Sequence, residues 1–274
     1  MARFDGFDCF RIHKIPVCFP APFAGVGQYC FQSCGGLPKM TFIRSLIFDV
    51  YYILVTVLIC LLGCCIFFLP QCPVIARWWG QLIIWGMRVI VGLDFEVQGL
   101  ENLPQDSHRY IVASKHQSAM ETMAYHVLLP RPVYILKKEL LYIPLFGWNL
   151  LIMGSIPIDR SSGAKAMRSM LDGAQKRLSQ NRPVVIFPEG TRTPPNQPTK
   201  CNPGVALLYE KCDVPVIPAA VNTGYFWGKK AFIKKPGKVI VKFLPAMPQD
   251  LPKREFLNEL ANRIEQGCQE IKPE

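Results

Sequence analysis

The chain has 274 residues, a formal net charge of +11, a pI of about 9.2 and a mean hydropathy of +0.18, with 50% of its residues hydrophobic. That length holds one medium catalytic domain with an appended segment, or at most two small domains. The basic balance asks for an anionic partner and the hydropathy for a membrane; nucleic acid is set aside, since no helix-turn-helix, zinc-finger or ribonucleoprotein signature is present.

Residues 1–39 are rich in aromatics, glycine and proline and carry neither helical nor strand periodicity. They read as a disordered extension, or as a start artefact, because Met40 opens a more conventional beginning. Cys30 and Cys34 have no second pair and no adjacent histidine, so a zinc site is not expected there. The 11 cysteines, an odd number, read as reduced thiols. From Val50 to Leu69 the chain runs without a charge. At about 1.5 Å per residue such a helix is about 30 Å long, the thickness of a hydrocarbon core. Pro70 and Pro73 force a turn. A second apolar stretch, Val74 to Leu93, contains Trp78, Trp79 and Trp85 with Arg77 and Arg88, which suits an interfacial helix better than a clean span. Residues 40–93 therefore form membrane-associated helices, as a span plus an interfacial helix or as a hairpin in one leaflet.

From Asp94 to the C-terminus lies the catalytic domain. Apolar β-rich runs recur at Tyr110–Ala113, Val133–Leu136, Val184–Phe187, Val216–Val221 and Val239–Leu244. Helical patterns fall at Ala164–Leu178, Val205–Cys212 and Arg254–Ile271. The alternation predicts an α/β fold, a mostly parallel central sheet flanked by helices, with ligands beyond the carboxyl ends of the strands.

The central stretch is Ser114 to Thr122. His116 leaves a strand, and Glu121 lies in the first turn of the helix that Ser118 can cap, with Met120, Met123, Ala124, Val127 and Leu128 on its apolar positions. A carboxylate across a turn from an imidazole can take one ring N–H and support the imidazolium, which is the arrangement of a general base. Alone, His-x4-Glu is more often structural. Three more stretches sit at strand or loop ends: Gly154 to Arg160, Phe187 to Arg192 with Glu189, Gly190 and Thr191 in a proline-glycine turn, and Val214 to Pro218. Lys137 follows another strand. Singly, each cation is an ordinary surface charge; at successive strand ends they suit a phosphate monoester, which arginine binds with two parallel hydrogen bonds.

Together these blocks resemble the glycerolipid acyltransferase family, and most closely its bacterial 1-acyl-glycerol-3-phosphate branch: His-x4-acid, Gly-x-x-x-Ile-Asp-Arg, Phe-Pro-Glu-Gly-Thr-Arg and a Val-Pro-x-x-Pro block, in that order. The resemblance covers about 94–245 and the preceding helices; Glu121 stands where the family has aspartate. It implies that His116 deprotonates an acceptor hydroxyl and Glu121 orients it. Lys137, Arg160 and Arg192 would hold the acceptor's phosphate, Glu189 and Gly190 would shape its pocket, and Thr191 joins the binding residues. The implied reaction moves a fatty acyl group from an acyl-CoA or acyl carrier protein thioester to lysophosphatidic acid, making phosphatidic acid. The implied place is the bacterial inner membrane, among membrane lipids, with the catalytic domain facing the cytoplasm. A general base can serve a thioester without a covalent intermediate, so no cofactor and no metal is expected. A lipid hydrolase fits less well, because no Gly-x-Ser-x-Gly elbow occurs. Lys229, Lys230, Lys234, Lys235, Lys238 and Lys242 form a basic run that reads either as a solvated face or as a dock for anionic headgroups or an acidic carrier.

Overall fold

The five β-rich runs become strands of one sheet, most of them apolar on both faces because helices cover the sheet on both sides. The computed structural model describes residues 2–4, 7–12, 15–20, 38–65 and 72–273. Within 1–39, where the sequence shows no periodicity, Ala2–Phe4 (β1), Phe7–Ile12 (β2) and Ile15–Pro20 (β3) pair as a separate antiparallel sheet. Residues 21–37, with Cys30 and Cys34, and the end of the first apolar run at 66–71 lie outside the described residues.

The main sheet has seven strands: Leu93–Gln98 (β4), Ile111–Ser114 (β5), Val133–Lys137 (β6), Ile156–Ile158 (β7), Val184–Ile186 (β8), Val216–Val221 (β9) and Gly237–Phe243 (β10). Their order is β4-β10-β9-β5-β8-β6-β7, with β10 antiparallel to β9 and every other neighbouring pair parallel. The mostly parallel α/β sheet expected from the sequence is thus present. Two of its strands were not legible: β4 mixes polar residues into its alternation, and β7 has three residues.

Among the described residues there are seven α-helices: Pro38–Cys65 (α1), Cys72–Gly86 (α2), Met120–Leu128 (α3), Phe146–Ile152 (α4), Gly163–Ser179 (α5), Pro203–Cys212 (α6) and Lys253–Glu270 (α7). Residue alternation along the strands decides which helices cover which face. Ile111, Ala113, Val184 and Ile186 pack with Met170 of α5, Leu208 of α6 and Phe256, Leu260 and Ile264 of α7. Tyr110, Val112, Val185 and Ile217, pointing the other way, pack with Ala124, Tyr125 and Leu128 of α3. Each such apolar side chain, taken fully from water, contributes about 1.5–3 kcal/mol. α7, polar by composition, is held by this one apolar stripe.

α1 and α2 form a third layer over α3, where Phe48, Trp79, Ile83, Met120 and Met123 meet. Trp79 Nε1 donates to Thr56 Oγ1 at 3.0 Å and joins the two helices, while Trp78 and Trp85 stay exposed. Gly80 lies against α3 so closely that a Cβ there would stand 2.7 Å from the Met123 carbonyl oxygen. Lys39–Cys65 has a mean hydropathy of 2.4 and Val74–Val91 of 1.2, so both are long and apolar enough to span a membrane; 17% and 50% of their best windows are buried. The exposed residues of α1 are apolar along its length, including Phe42, Leu46, Val50, Leu54, Leu58 and Leu62, which suits lipid rather than water.

The basic run is not one continuous free surface. Lys234 is buried: its ammonium pairs with Asp49 of α1 amid the rings of Phe48, Trp227 and Phe232, and its backbone N–H donates to Ser45 Oγ at 2.9 Å. Lys238 pairs with Glu96 at 2.7 Å, Lys242 with Glu270 at 2.5 Å, and Lys229 donates to Thr191 Oγ1 at 3.2 Å. Lys234 thus pins α1 to the catalytic domain. Removing one partner of a buried pair strands the other charge, whereas an exposed pair contributes at most about 1 kcal/mol. Lys234→Met is expected to lower stability by about 3 kcal/mol and Lys238→Met by less than about 1 kcal/mol, read from unfolding midpoints in detergent; equal losses would contradict the latch.

Candidate active site

Strands β9, β5, β8, β6 and β7 run parallel and side by side, so their carboxyl ends share one edge. The chemistry-bearing residues sit there. His116 follows β5, Glu189 to Arg192 follow β8, Lys137 ends β6 and Arg160 follows β7.

The His116 turn is held from below by buried hydroxyls. Tyr125 of α3 donates to Ser114 Oγ at 2.6 Å, and Ser114 Oγ donates to the Lys115 carbonyl at 2.8 Å. Glu121 then folds back over the loop in front of its own helix. Its Oε1 accepts from the backbone N–H groups of Gln117 at 3.1 Å and Ser118 at 2.9 Å, and from the Thr223 hydroxyl; its Oε2 accepts from Ser118 N–H at 3.1 Å. A carboxylate suits the amide-rich start of a helix. α3 begins after Ala119, not after a capping Ser118: Ser118 Oγ accepts from Met120 N–H at 3.3 Å, and the Ser118 amide is itself held by Glu121.

Glu121 Oε2 stands 3.5 Å from His116 Nδ1, too long and too poorly aimed for a hydrogen bond, and that buried nitrogen bonds to nothing else among the described residues. The two are brought together but not yet joined, as catalytic pairs often are before substrate tightens them. The imidazole lies flat on Phe187, ring centres 3.9 Å apart at 18°. Its side chain is 16% exposed.

Glu189 lies behind the site. Its Oε2 accepts from the backbone N–H of His116 at 3.0 Å; its Oε1 meets Lys115 Nζ at 2.9 Å and the Thr193 hydroxyl at 2.7 Å. Lys115 Nζ also donates to the Gln197 carbonyl at 2.8 Å and to Thr199 Oγ1 at 2.9 Å. Both charges are shut from water and fully bonded, the condition under which a buried pair persists. The His116 carbonyl accepts from Thr193 N–H at 2.8 Å, so the loops after β5 and β8 are stitched together on both sides of the histidine. Lys115 was not singled out in the sequence. The available signal was a lysine sitting between a buried strand and the histidine.

In front of the histidine is a cavity of about 1100 Å³, lined by His116, Lys137, Arg160, Gly190, Thr191 and Arg192; Glu121 and Glu189 are not in this lining. It continues over apolar side chains, among them Ile59 of α1, Trp79 of α2, Phe146 and Leu150 of α4 and Met170 of α5. Arg160 sits in a short turn set by Asp159, whose carboxylate accepts from Ser161 N–H at 3.1 Å. Gly190 has φ +68°, and a Cβ there would come within 3.5 Å of the Arg160 guanidinium carbon and 3.0 Å of Asn202 Nδ2. Only glycine fits both demands. Among the described residues neither Arg160 nor Arg192 has a carboxylate within ion-pair distance; Lys137 pairs with Glu139 at 3.2 Å in the open. The cavity lining thus joins two arginines that have no carboxylate partner among the described residues to a wall that is largely apolar. Among the described residues no cluster of three or more His, Cys, Asp or Glu side chains could hold a metal ion.

Residues 94–222 match the model of the family described as Acyltransferase. The chain is 34% identical over 242 residues to the 1-acyl-sn-glycerol-3-phosphate acyltransferase of Pseudomonas aeruginosa, across 86% of this chain and 93% of that one. It is 31% identical over 186 residues to the bovine 1-acyl-sn-glycerol-3-phosphate acyltransferase alpha, across 67% and 64%. The crystal structure of the 1-acyl-sn-glycerophosphate acyltransferase of Thermotoga maritima superposes with a TM-score of 0.71 at 21% identity, covering 85% of this chain and 98% of that one, and so shares the fold. The chain belongs to the acyltransferase family, in its 1-acyl-sn-glycerol-3-phosphate acyltransferase branch.

Glu121→Gln keeps the amide and hydroxyl contacts of one oxygen but turns an NH2 toward the Ser118 amide or His116. Turnover is expected to fall about 10²–10⁴-fold with little change in KM; near-normal turnover would remove the pair from the chemistry. His126 tests the cavity wall. Its ring lies between Trp79 and Tyr134, and burial, then the Arg182 guanidinium, pushes its pKa down to about 3. The unfolded chain takes the proton near pH 6.5 and the folded one does not until about 3, so this stability is complete above 6.5 and drains away as pH falls. The loss is about 1.4 kcal/mol per pH unit across that window. His126→Leu is therefore expected to lose less stability than wild type between pH 7 and 5; parallel curves would contradict a neutral buried imidazole.

Proposed function

We propose that the chain transfers a fatty acyl group from an acyl-CoA or acyl carrier protein thioester to the sn-2 hydroxyl of 1-acyl-glycerol-3-phosphate, making phosphatidic acid. The observation that carries this reading is that one imidazole and three cations line a single cavity whose remaining wall is largely apolar, with Glu139, Asn149 and Asn202 among its polar members. With Nδ1 turned to Glu121, His116 has Nε2 free for the acceptor hydroxyl. It removes that proton as the oxygen attacks the thioester carbonyl; the carbon–sulfur bond breaks as the ester forms, and the proton leaves with the thiolate. Glu121 supports the imidazolium in between.

Arg160 and Arg192, free of carboxylates, take the phosphate monoester, with Lys137 adding charge at the rim. The apolar stretch between α2, α4 and α5 takes acyl chains. Holding two substrates together supplies a large part of the rate that a single base does not. Placing this cavity beside α1 and α2 lets a lipid acceptor enter without crossing water. The natural setting on this reading is the bacterial inner membrane, with the catalytic domain on the cytoplasmic face.

The test uses detergent-purified protein with lysophosphatidic acid and a panel of thioesters, products read by mass spectrometry. Phosphatidic acid is expected, and Arg160→Ala is expected to raise KM for lysophosphatidic acid at least about 10-fold, the scale of a lost charge-assisted pair, with a smaller effect on the thioester. Free fatty acid without phosphatidic acid would indicate a hydrolase and overturn the reading.

A further inference from the structure

The His116–Glu121 pair leans on a side chain about a hundred residues away. Thr223 follows β9, is fully buried, and donates its hydroxyl to Glu121 Oε1. It is the one side-chain donor to that carboxylate among the hydrogen bonds of the described residues; the others are amides of the His116 loop itself. Those amides come from adjacent residues on one side, so they fix where the carboxylate lies but do not by themselves settle its tilt. A donor reaching Oε1 from β9 settles it, because Oε2 is then the oxygen left turned toward His116 Nδ1.

Thr223 is itself rigidly placed. Asn222 before it donates from Nδ2 to the carbonyls of Lys238 at 3.2 Å and Ile271 at 3.0 Å, and its Oδ1 accepts from Ile240 N–H at 2.7 Å. Gly224 after it donates its N–H to Gln117 Oε1 at 2.9 Å, gripping the residue next to His116. A Cβ at Gly224 would lie 2.9 Å from Gln117 Cβ and 2.8 Å from Pro195 Cγ, so the approach requires glycine. Further along the same segment, Lys234 is latched to Asp49 and Ser45 of α1. The segment from 222 to 236 thus joins the pair to the helix that carries the apolar face.

We propose that Thr223 is a positioning residue for acyl transfer: its hydroxyl holds the Glu121 carboxylate in the orientation that serves His116, while touching neither substrate. The proposal rests on His116 being the base. Thr223→Val removes the hydroxyl at constant shape; Thr223→Ser restores it. Turnover of the valine variant is expected to fall about 10- to 100-fold, the scale of one hydrogen bond to a charged group, with both KM values within about twofold; serine should recover most of it. Rates are expressed per folded protein by near-UV circular dichroism, and Thr223→Ala replaces valine should valine not fold. Wild-type turnover in the hydroxyl-free variant, or equal losses in it and in serine, would overturn the proposal. His116→Ala in the same assay separates the two ideas: activity there sinks the base, whereas an inactive alanine variant beside a fully active valine variant sinks Thr223 alone.

Discussion

The arrangement turns on a carboxylate that caps its own loop. Glu121 takes the amides of Gln117 and Ser118, and this closes the turn in which His116 is carried at the carboxyl end of β5. With an apolar residue there the amides of Gln117 and Ser118, in the loop before α3, would be left unbonded in a dry interior, at a cost of about 1–3 kcal/mol each. The same contacts leave one oxygen facing the imidazole. A structural demand and, on the proposed reading, a catalytic one are met by a single group, so the histidine's setting follows from how the loop before α3 is held.

Glu189 repeats the theme from the neighbouring strand. Bonded to the His116 amide, Thr193 and Lys115, it welds the loops after β5 and β8. The backbone of His116 is therefore fixed at its strand end, with the imidazole lying on Phe187. Gly190, next in the chain, then passes close to Arg160 with a left-handed backbone that glycine adopts without strain, which draws the loops after β8 and β7 together. His116, Lys137, Arg160 and Arg192, the proposed base and phosphate-holding cations, are placed by the carboxyl ends of strands in one sheet, the usual location of ligands in such folds.

Much of this was legible beforehand, for physical reasons that can be named. The strands β5, β8 and β9 are unbroken apolar runs because both faces of the sheet are buried there, β6 and β10 keep apolar runs beside their lysines, and α5, α6 and α7 carry a stripe of 3.6 periodicity. His116, Arg160, Gly190 and Arg192 stood out because polar residues follow directly on such runs. β4 and β7 were hidden by polar residues and brevity, α4 by glycine and a tryptophan in seven residues. Long-range pairing was invisible altogether. Nothing local tells Lys234, buried among aromatic rings, from its exposed neighbours, and nothing joins Thr223 to Glu121 or Lys115 to Glu189 until the strands are ordered. The role expected for Glu189 came from its place in a motif; its contacts show a group bonded wholly to protein.

The central claim is that Glu121 fixes the imidazole with its proton on Nδ1, leaving Nε2 as the base. Nitrogen-15 NMR of histidine-labelled protein reads the tautomer of neutral His116 directly, with assignment by His116→Ala. The account predicts the Nδ1–H form, converting toward Nε2–H in Glu121→Gln. A neutral His116 carrying its proton on Nε2 in the unmodified protein would contradict it.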